Sequence, residues 1–598
     1  MKYPVLSKLS TTRDMIEVFR GYNHNLRIGD GEFYEMKNLT SDDYPILSPR
    51  SQRGVHVSTG SPCAMIAKDA LCYVDIVAEN NAYGAELHIN GNENAFEGLK
   101  LSSLKEDLPK TLVSMGSYII IMPDKKWVNT ADDTYGNIEA TVETNGETEF
   151  THCKLDGTDY TDEDVTISDE APANPNDLDY WIDTSSLPHT LKQYSANSAM
   201  WVSVATTYIK ISATGIGVPF NTGDGVTISG IEIEELADLN NTMVIQGCAD
   251  DYIIVIGLID EVKTQNAAIT VKRQMPNMDF IIESENRLWG CRYGLSVNNE
   301  FVNEIYASKL GDFKNWNSFQ GISTDSYAAT LGTDGQFTGA VTHLGYPIFF
   351  KETCMHKVYG NYPANYQIQT TACRGVQRGC SNSLAIVNEI LYYKSRSAIC
   401  AYDGALPVEI SSALGDVVYS DAVAGVLGNK YYISMRDVNE TDPSKLYHLF
   451  VYDTQKGMWH REDNTQAVEF CNCRGELYYI DYADNCIKTV KGSGTLDTTK
   501  VKWEATTGVI GTDSPDKKYI SRIDVRLYLT IGAQVYFYVQ YDSIGDWELL
   551  HTMDGITLKT ISVPIRPHRC DHLRLKIIGE GEAKIYSICK TIEQGSDL

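Results

Sequence analysis

NRLWGCRYG (286–294), GYPIFFKE (345–352), NEILYYKS (388–395), NKYYISMRD (429–437) and GELYYIDY (475–482) are five versions of one phrase. Each sets a polar or Gly-led turn before an apolar, aromatic-rich strand. With Leu288, Ile348, Ile390, Tyr431 and Leu477 as equivalent points, the steps are 60, 42, 41 and 46 residues. A repeat of about 40–50 residues with several strands per unit is the sequence signature of β-propeller blades. The step of 60 leaves room for a long loop. Two repeats also end alike, in IYASKLGDFKNW (305–316) and LFVYDTQKGMW (449–459): strand, polar turn, Trp. The alternation suits half-buried antiparallel strands, with Trp316 and Trp459 as fillers between adjoining blades. Neither a Trp-Asp dipeptide nor the kelch glycines mark the repeat, so the propeller it predicts, of six or seven blades, is a degenerate one.

Outward from this stretch (275–495) the composition changes. MIAKDALCYVDIVA (65–78) and SYIIIMPDKKWV (117–128) predict the first blades, over residues 51–130. Between Ala131 and Asp183, sixteen Asp and Glu stand against one Lys, a local charge of −15, and strand-rich sequence follows to Arg273. Residues 131–272 therefore read as an acidic β domain inserted in a propeller loop, with the remaining blades over 273–495. The clean alternation of ISRIDVRLYLTI (520–531), QVYFYVQYDS (534–543) and HLRLKIIG (572–579) predicts a terminal β-sandwich over 496–598. Residues 1–50, with a Gly-Asp-Gly turn and two Pro-containing turns, read as an arm that lies along a neighbour or supplies a first strand. The fold class expected is all-β.

Composition narrows the function. With 598 residues, 37 Tyr, 46 Gly and 43% hydrophobic content, the chain can bury large cores and should hold about three to five domains. No run approaches the roughly 18 apolar residues of a membrane span, and YIIVIGLI (252–259) suits a buried strand. The first residues contain no long apolar region, so synthesis in a cytoplasm is expected. The 14 Cys lack paired CxxC spacing, which favours buried free thiols over a metal site. Cys471 and Cys473, two apart, should share a strand face.

Chemistry-bearing patterns are sparse. There is no Gly-Lys pair for a phosphate loop, and the Gly-rich runs TGDGVTISG (222–230) and GTDGQFTG (332–339) sit between strands rather than before helices. HExxH, GxSxG and Cys-His nucleophile signatures are missing, and the 12 His are dispersed. Asp156, Asp159, Asp162 and Asp164 could ligate Ca²⁺, but they lack the Gly and terminal Glu of a calcium loop, which favours a solvated acidic loop. The strand-turn-Trp ends are similar to the Asp-box of sialidases, yet Asp312 and Asp453 lie four and six residues before their Trp, which is the wrong spacing. No catalytic, cofactor-binding or metal residue is assigned, and no cofactor. A net charge of −28 disfavours sequence-specific DNA reading; Arg522, Arg526, Arg566, Arg569 and Arg574 are roughly balanced by acids. An acidic wall would instead let a duplex slide past.

The blades at 345–361 and 375–404, the terminal pattern at 522–593 and the segment NLTSDDYPILSPR (38–50) carry a resemblance. Arm, degenerate propeller and β-sandwich together resemble the tail hub or nozzle proteins of short-tailed bacteriophages, also called tail accessory or packaged-DNA stabilisation proteins. The likeness covers about 60% of the chain and is one of pattern. It implies a non-enzymatic virion structural protein, assembled in the bacterial cytoplasm and resident in the tail. It also implies a homo-oligomeric ring of six copies, below portal and adaptor proteins, that passes and retains double-stranded DNA and anchors tail fibres or spikes. Cyclic closure through a heterologous interface would build such a tube. The acidic insert departs from shorter members of the family. Two other readings stay open. One is a tail-associated attachment module, with a saccharide site near Tyr180, Trp181 and Trp201, or those aromatics simply in a core. The other is a propeller hydrolase, which needs two facing carboxylates.

Overall fold

A computed structural model describes residues 11–594, apart from 59, 80–81, 90–95, 97, 103–109, 162–163, 297–298, 493, 497–498, 512–516, 556 and 567. Among the described residues there are 54 strands and four short 3-10 turns, so the chain is all-β. Each head phrase forms the second strand of a small sheet: Arg287–Leu295, Tyr346–Lys351, Ile390–Lys394, Lys430–Asp437 and Glu476–Asp481. Four of the five turns before them place two consecutive residues at positive φ: Glu285–Asn286, Leu344–Gly345, Asn388–Glu389 and Arg474–Gly475. That is the two-residue hairpin geometry whose twist matches the flanking strands.

Seven such sheets follow along the chain. Sheet 1 holds Pro62–Ala67, Leu71–Glu79, Ala82–Ile89 and Leu101–Ser102. Sheet 2 holds Thr111–Met115, Tyr118–Met122, Lys126–Asn129 and Thr134–Asn137. Sheet 3 holds Phe280–Ser284, Arg287–Leu295, Phe301–Ala307 and Tyr327–Thr330, and sheet 4 the four strands from Phe337–His343 to Gln367–Ala372. Sheet 5 runs from Ala385–Val387 to Val408–Glu409, and sheet 6 from Tyr419–Leu427 to Met458–Arg461. Sheet 7 is composite. Its first three strands are Ala467–Cys473, Glu476–Asp481 and Cys486–Thr489, and the next is Gly54–Ser58 from far upstream, antiparallel to Cys486–Thr489.

The chain forms two compact units. The first comprises Met1–Lys110, Phe349–His356 and Thr370–Leu598. In it, Tyr431 of sheet 6 donates its hydroxyl to Ser383 O at 2.8 Å, just before sheet 5. Leu427, Tyr432, Leu449 and Val451 of sheet 6 share a core with Ala467, Leu477 and Tyr479 of sheet 7. Sheet 7 in turn packs Cys471, Cys473, Ile480 and Ile487 on Met65, Leu71 and Tyr73 of sheet 1. Cys471 and Cys473 thus share a buried face, and all fourteen thiols are free.

Residues 11–50 of the expected arm supply strands to two sheets. Gly21–Tyr22 pairs with Trp459 at the edge of sheet 6 and, in parallel, with Glu32–Lys37, which pairs with Lys502–Thr507. Sheet 6 thereby runs on through Leu573–Glu580 and Gln534–Tyr541 to Glu548–Asp554 as one ten-stranded sheet. Thr11–Ile16 joins a second terminal sheet with Ala583–Gln594, Lys518–Leu529 and Lys559–Val563. Alternate residues of Leu573–Glu580 are buried, as the period of a one-sided strand requires. The segment is held because its unpaired backbone groups meet sheet edges that would otherwise stay open.

The second unit comprises Thr111–Ile348 and Lys357–Gln369. Trp316 and Phe313 fill the core between sheets 2 and 3, with Ile120, Met122, Ile281 and Leu288. The insert starts later than its composition suggests, because Thr134–Asn137 pairs with Lys126–Asn129 and completes sheet 2. Its first and last strands, Ala140–Glu143 and Thr270–Arg273, pair with each other, so the chain leaves and returns at one place. Two sheets, of four and five strands, enclose a core that includes Phe150, Ile211, Val226, Ile253 and Val271. A third sheet of Val165–Ser168, Tyr180–Asp183, Thr190–Ser195 and Met200–Ser203 stands on it.

Candidate functional site

The small sheet over residues 165–203 carries the aromatics singled out in the sequence. Its register pairs Tyr180 with Gln193, Trp181 with Lys192, and Tyr194 with Trp201. Successive side chains alternate faces, so Val165, Tyr180, Ile182 and Leu191 share one face and Trp181, Lys192, Tyr194 and Trp201 the other. The first face packs on the insert body, with Tyr160 and Leu258. Tyr180 is half-buried against that core, edge-on to Tyr160 at 5.3 Å. Trp181 and Trp201 point the other way. Trp201 meets Trp181 at 5.4 Å and Tyr194 at 5.3 Å, both edge-to-face. Trp181 is buried and donates its indole N–H to Ser168 O at 3.0 Å, while Trp201 and Tyr194 are half-buried. Lys192 Nζ lies 4.8 Å from the Trp181 ring centre and 2.6 Å from Asp183 Oδ2. Hydrogen bonds from Lys192 and Ser185 hold the Asp183 carboxyl down at about 2. Lys192, Tyr194 and Asp183 were missed in the sequence; the alternation of TLKQYS beside YWID was the available signal.

The acidic loop does not gather its carboxylates. Asp156 Oδ1 accepts from Thr158 N, Asp164 Oδ2 from Thr161 N and Oγ1, and Asp159 takes Thr151 Oγ1 and Lys210 Nζ. Each caps its own turn or pairs locally, and Asp162 lies outside the described residues. Among the described residues no group of three or more His, Cys, Asp or Glu converges to hold a metal ion. Asp312 accepts from Asn315 Nδ2 at 2.5 Å, and Asp453 from Ser41 Oγ at 2.6 Å. Trp316 and Trp459 are buried, their indoles donating to Phe313 O and Ile410 O. These ends are structural. Of the terminal arginines, Arg522 holds Asp524 at 2.8 Å, Arg526 donates to Thr560, and Arg574 lies over Tyr34. Arg566 and Arg569 are exposed.

A second cluster lies where the N-terminal segment meets sheets 6 and 7. Arg53 reaches Glu462 at 2.7 Å and Asp463 at 2.9 Å, and Arg50 reaches Asp463 at 3.3 Å. Tyr479 and Thr465 accept further bonds from Arg53. Burial pushes the Asp463 carboxyl up, but the Arg53 and Arg50 guanidiniums outweigh it and hold it down at about 2. A cleft of about 780 Å³ beside the cluster is lined by Arg50, Arg53, Asp481, Lys488, Lys500 and Lys502. Lys488 is paired with Asp481 and Asp484, so this cleft has no surplus cation in its wall at Arg50, Arg53 or Lys488. The cluster joins chain segments rather than presenting charge.

No known protein family matches the chain, and no curated protein does. Among solved structures, an exo-β-1,3-galactanase from Phanerochaete chrysosporium is similar over 52% of this chain and 94% of its own, at 9% identity and a TM-score of 0.20. An acylaminoacyl peptidase from Pyrococcus horikoshii is similar over 75% and 50%, at 10% identity and 0.26. PorZ, a surface component of the type-IX secretion system of Porphyromonas gingivalis, is similar over 88% and 82%, at 9% identity and 0.26. Likenesses this distant do not bear on what the chain does.

Proposed function

We propose that the chain is a structural protein of a phage tail, a hub or nozzle subunit in which the seven sheets are blades of a degenerate propeller. The observation that carries this reading is the composite sheet 7, in which Gly54–Ser58 from the N-terminal side completes strands 467–489. Pairing an early strand with the last blade is how a propeller ring closes without leaving long open edges. The resemblance to tail hubs rests on the same plan, with a terminal sandwich joined to it. In this reading six copies form a ring below the portal and adaptor, the acidic wall lets double-stranded DNA pass, fibres or spikes attach outside, and the protein is not an enzyme. Its place is the virion tail, after assembly in the host cytoplasm. Among the described residues no helix is long and apolar enough to cross a membrane.

The test is the mass of the purified full chain across concentration, with negative-stain images, alone and with portal-adaptor complex. Six-fold rings, or rings nucleated by portal-adaptor, are expected. A monomer that stays monomeric in the presence of portal-adaptor overturns the reading. A second reading, an attachment module, is favoured by the outward aromatic face of residues 165–203.

A further inference from the structure

The outward face of the 165–203 sheet is unusual for its position. One face of this four-stranded sheet packs on the insert through Val165, Ile182 and Leu191, so the other would ordinarily be polar, as in half-solvated sheets. Instead it carries Trp181, Tyr194 and Trp201 on adjacent strands in mutual contact. Trp181 is spoken for, with its indole N–H on Ser168 O and Lys192 over its ring. Trp201 and Tyr194 are half-buried, each keeping part of its ring in solvent. Beside them stand an ammonium and a carboxylate, Lys192 and Asp183, already held together at 2.6 Å, and the hydroxyl-bearing residues Thr166, Thr190 and Ser203 at face positions of the same register.

We propose that this face is a binding site for neutral saccharides, with Trp201 and Tyr194 stacking on the C–H face of a sugar ring and the Lys192–Asp183 pair engaging its hydroxyls. Three properties select that class. Aromatic rings offer an apolar, polarised surface without closing a pocket, which suits a ligand that is apolar on its faces and polar at its rim. A hydroxyl both donates and accepts, and an adjoining ammonium and carboxylate supply one acceptor and one donor side. Charge excludes the anionic alternatives. Residues 131–183 carry −15, and the cation on the face itself is neutralised by Asp183, so phosphorylated or sialylated glycans would be repelled. The edge-to-face angles of 65° and 61° between the rings also leave no parallel ridges for a proline-rich helix. The site does not depend on whether copies of the chain form a ring.

The test uses the full chain on a glycan array of neutral gluco-, galacto- and manno-oligosaccharides with sialylated and phosphorylated counterparts, followed by calorimetry with the best neutral ligand. Binding of a neutral glycan is expected, weakened at least tenfold by Trp201→Ala and by Tyr194→Ala, and changed less than threefold by Trp201→Phe. Far-ultraviolet dichroism and the thermal midpoint of each variant check that folding is intact. Should Trp201→Ala misfold, the Tyr194→Ala and Trp201→Phe pair still decides. Absence of any neutral ligand at millimolar concentration, preference for anionic glycans, indifference to Tyr194→Ala, or Trp201-dependent capture of a proline-rich peptide instead would each overturn the assignment.

Discussion

Single side chains set the seam between sheets 7 and 1. Glu469, on the first strand of sheet 7, accepts the Met65 N–H of sheet 1 at 2.5 Å. Burial pushes its carboxyl up to about 8, the Met65 bond only partly opposing, and the neighbouring Cys471 thiol is raised by its own burial and then by Glu469. No ion pair to Glu469 forms among the described residues. Between its ordinary value of 4.5 and about 8 the folded chain binds a proton that the unfolded chain releases, so stability falls as pH rises through that window. Glu469→Gln keeps the acceptor for Met65 and removes the titration. It should flatten the dependence of the thermal midpoint on pH and stabilise the chain at pH 8 by about 1–3 kcal/mol. A variant that follows the parent curve between pH 5 and 8 would refute the account. Gly579 shows a different constraint, close approach: a Cβ there would sit 2.1 Å from the Trp503 ring. Trp503 is fully buried and donates to Gly581 O at 3.1 Å, so it cannot swing away freely. Gly579→Ala should cost about 1–3 kcal/mol, read as a lower denaturant midpoint at unchanged slope.

At the scale of elements, two buried ion clusters hold segments in place. Arg53 and Arg50 clamp the segment before Gly54–Ser58 to Glu462 and Asp463, in the link between sheets 6 and 7. Arg53→Met leaves the buried Glu462 and the half-buried Asp463 to Arg50 alone and should cost up to about 3–5 kcal/mol. The Asp463 contribution, from a depressed carboxyl, is complete above pH 4 and disappears as pH falls towards 2, so Asp463→Asn should blunt the acid limb of the unfolding curve. In the insert, Arg273 holds Asp224 at 2.5 Å, and Asn315 of the loop after sheet 3's third strand holds the other Asp224 oxygen at 2.8 Å. Arg273→Met should loosen that hold, detected as faster proteolysis around residues 138–140 and 274–276. These elements differ in how legible they were. The head strands could be read because each is a dense apolar run behind a turn, a signal contained within ten residues. The destination of Gly54–Ser58 could not, because pairing depends on an edge more than 400 residues away and its own sequence, GVHVS, alternates like any exposed strand. The aromatics near 180–201 were legible as a group, but only register places Tyr180 on the face that packs on the insert and Trp181 and Trp201 on the opposite one.

The whole molecule partitions its charge. The chain carries −28, of which −15 lies between residues 131 and 183, whereas residues 496–598 hold 13 Lys and Arg against 14 Asp and Glu. Copies of such a chain repel one another at low ionic strength, so any ring should form more readily as salt screens that repulsion. Mass measurements at about 0.05 M and 0.5 M salt are expected to show more oligomer at the higher value. Dissolution of rings by salt would point instead to an interface held by opposite charges. Composition marked the acidic stretch, and the repeat marked many small sheets. Neither revealed that Gly21–Tyr22 and Glu32–Lys37 join sheet 6 to the terminal strands, since a strand's partner is written in the partner.

That interleaving also orders events in time. The segment from Thr11 to Ser58 is synthesised well before its partners, Trp459, Cys486–Thr489, Lys502–Thr507 and Ala583–Gln594. At roughly 5–20 residues per second, about half a minute to two minutes separate the first strand from its last partner. During that interval the segment's backbone groups are open to any edge that passes, including the unfinished sheets of a neighbouring nascent chain. Slower translation should therefore lower the share of chains that close on themselves.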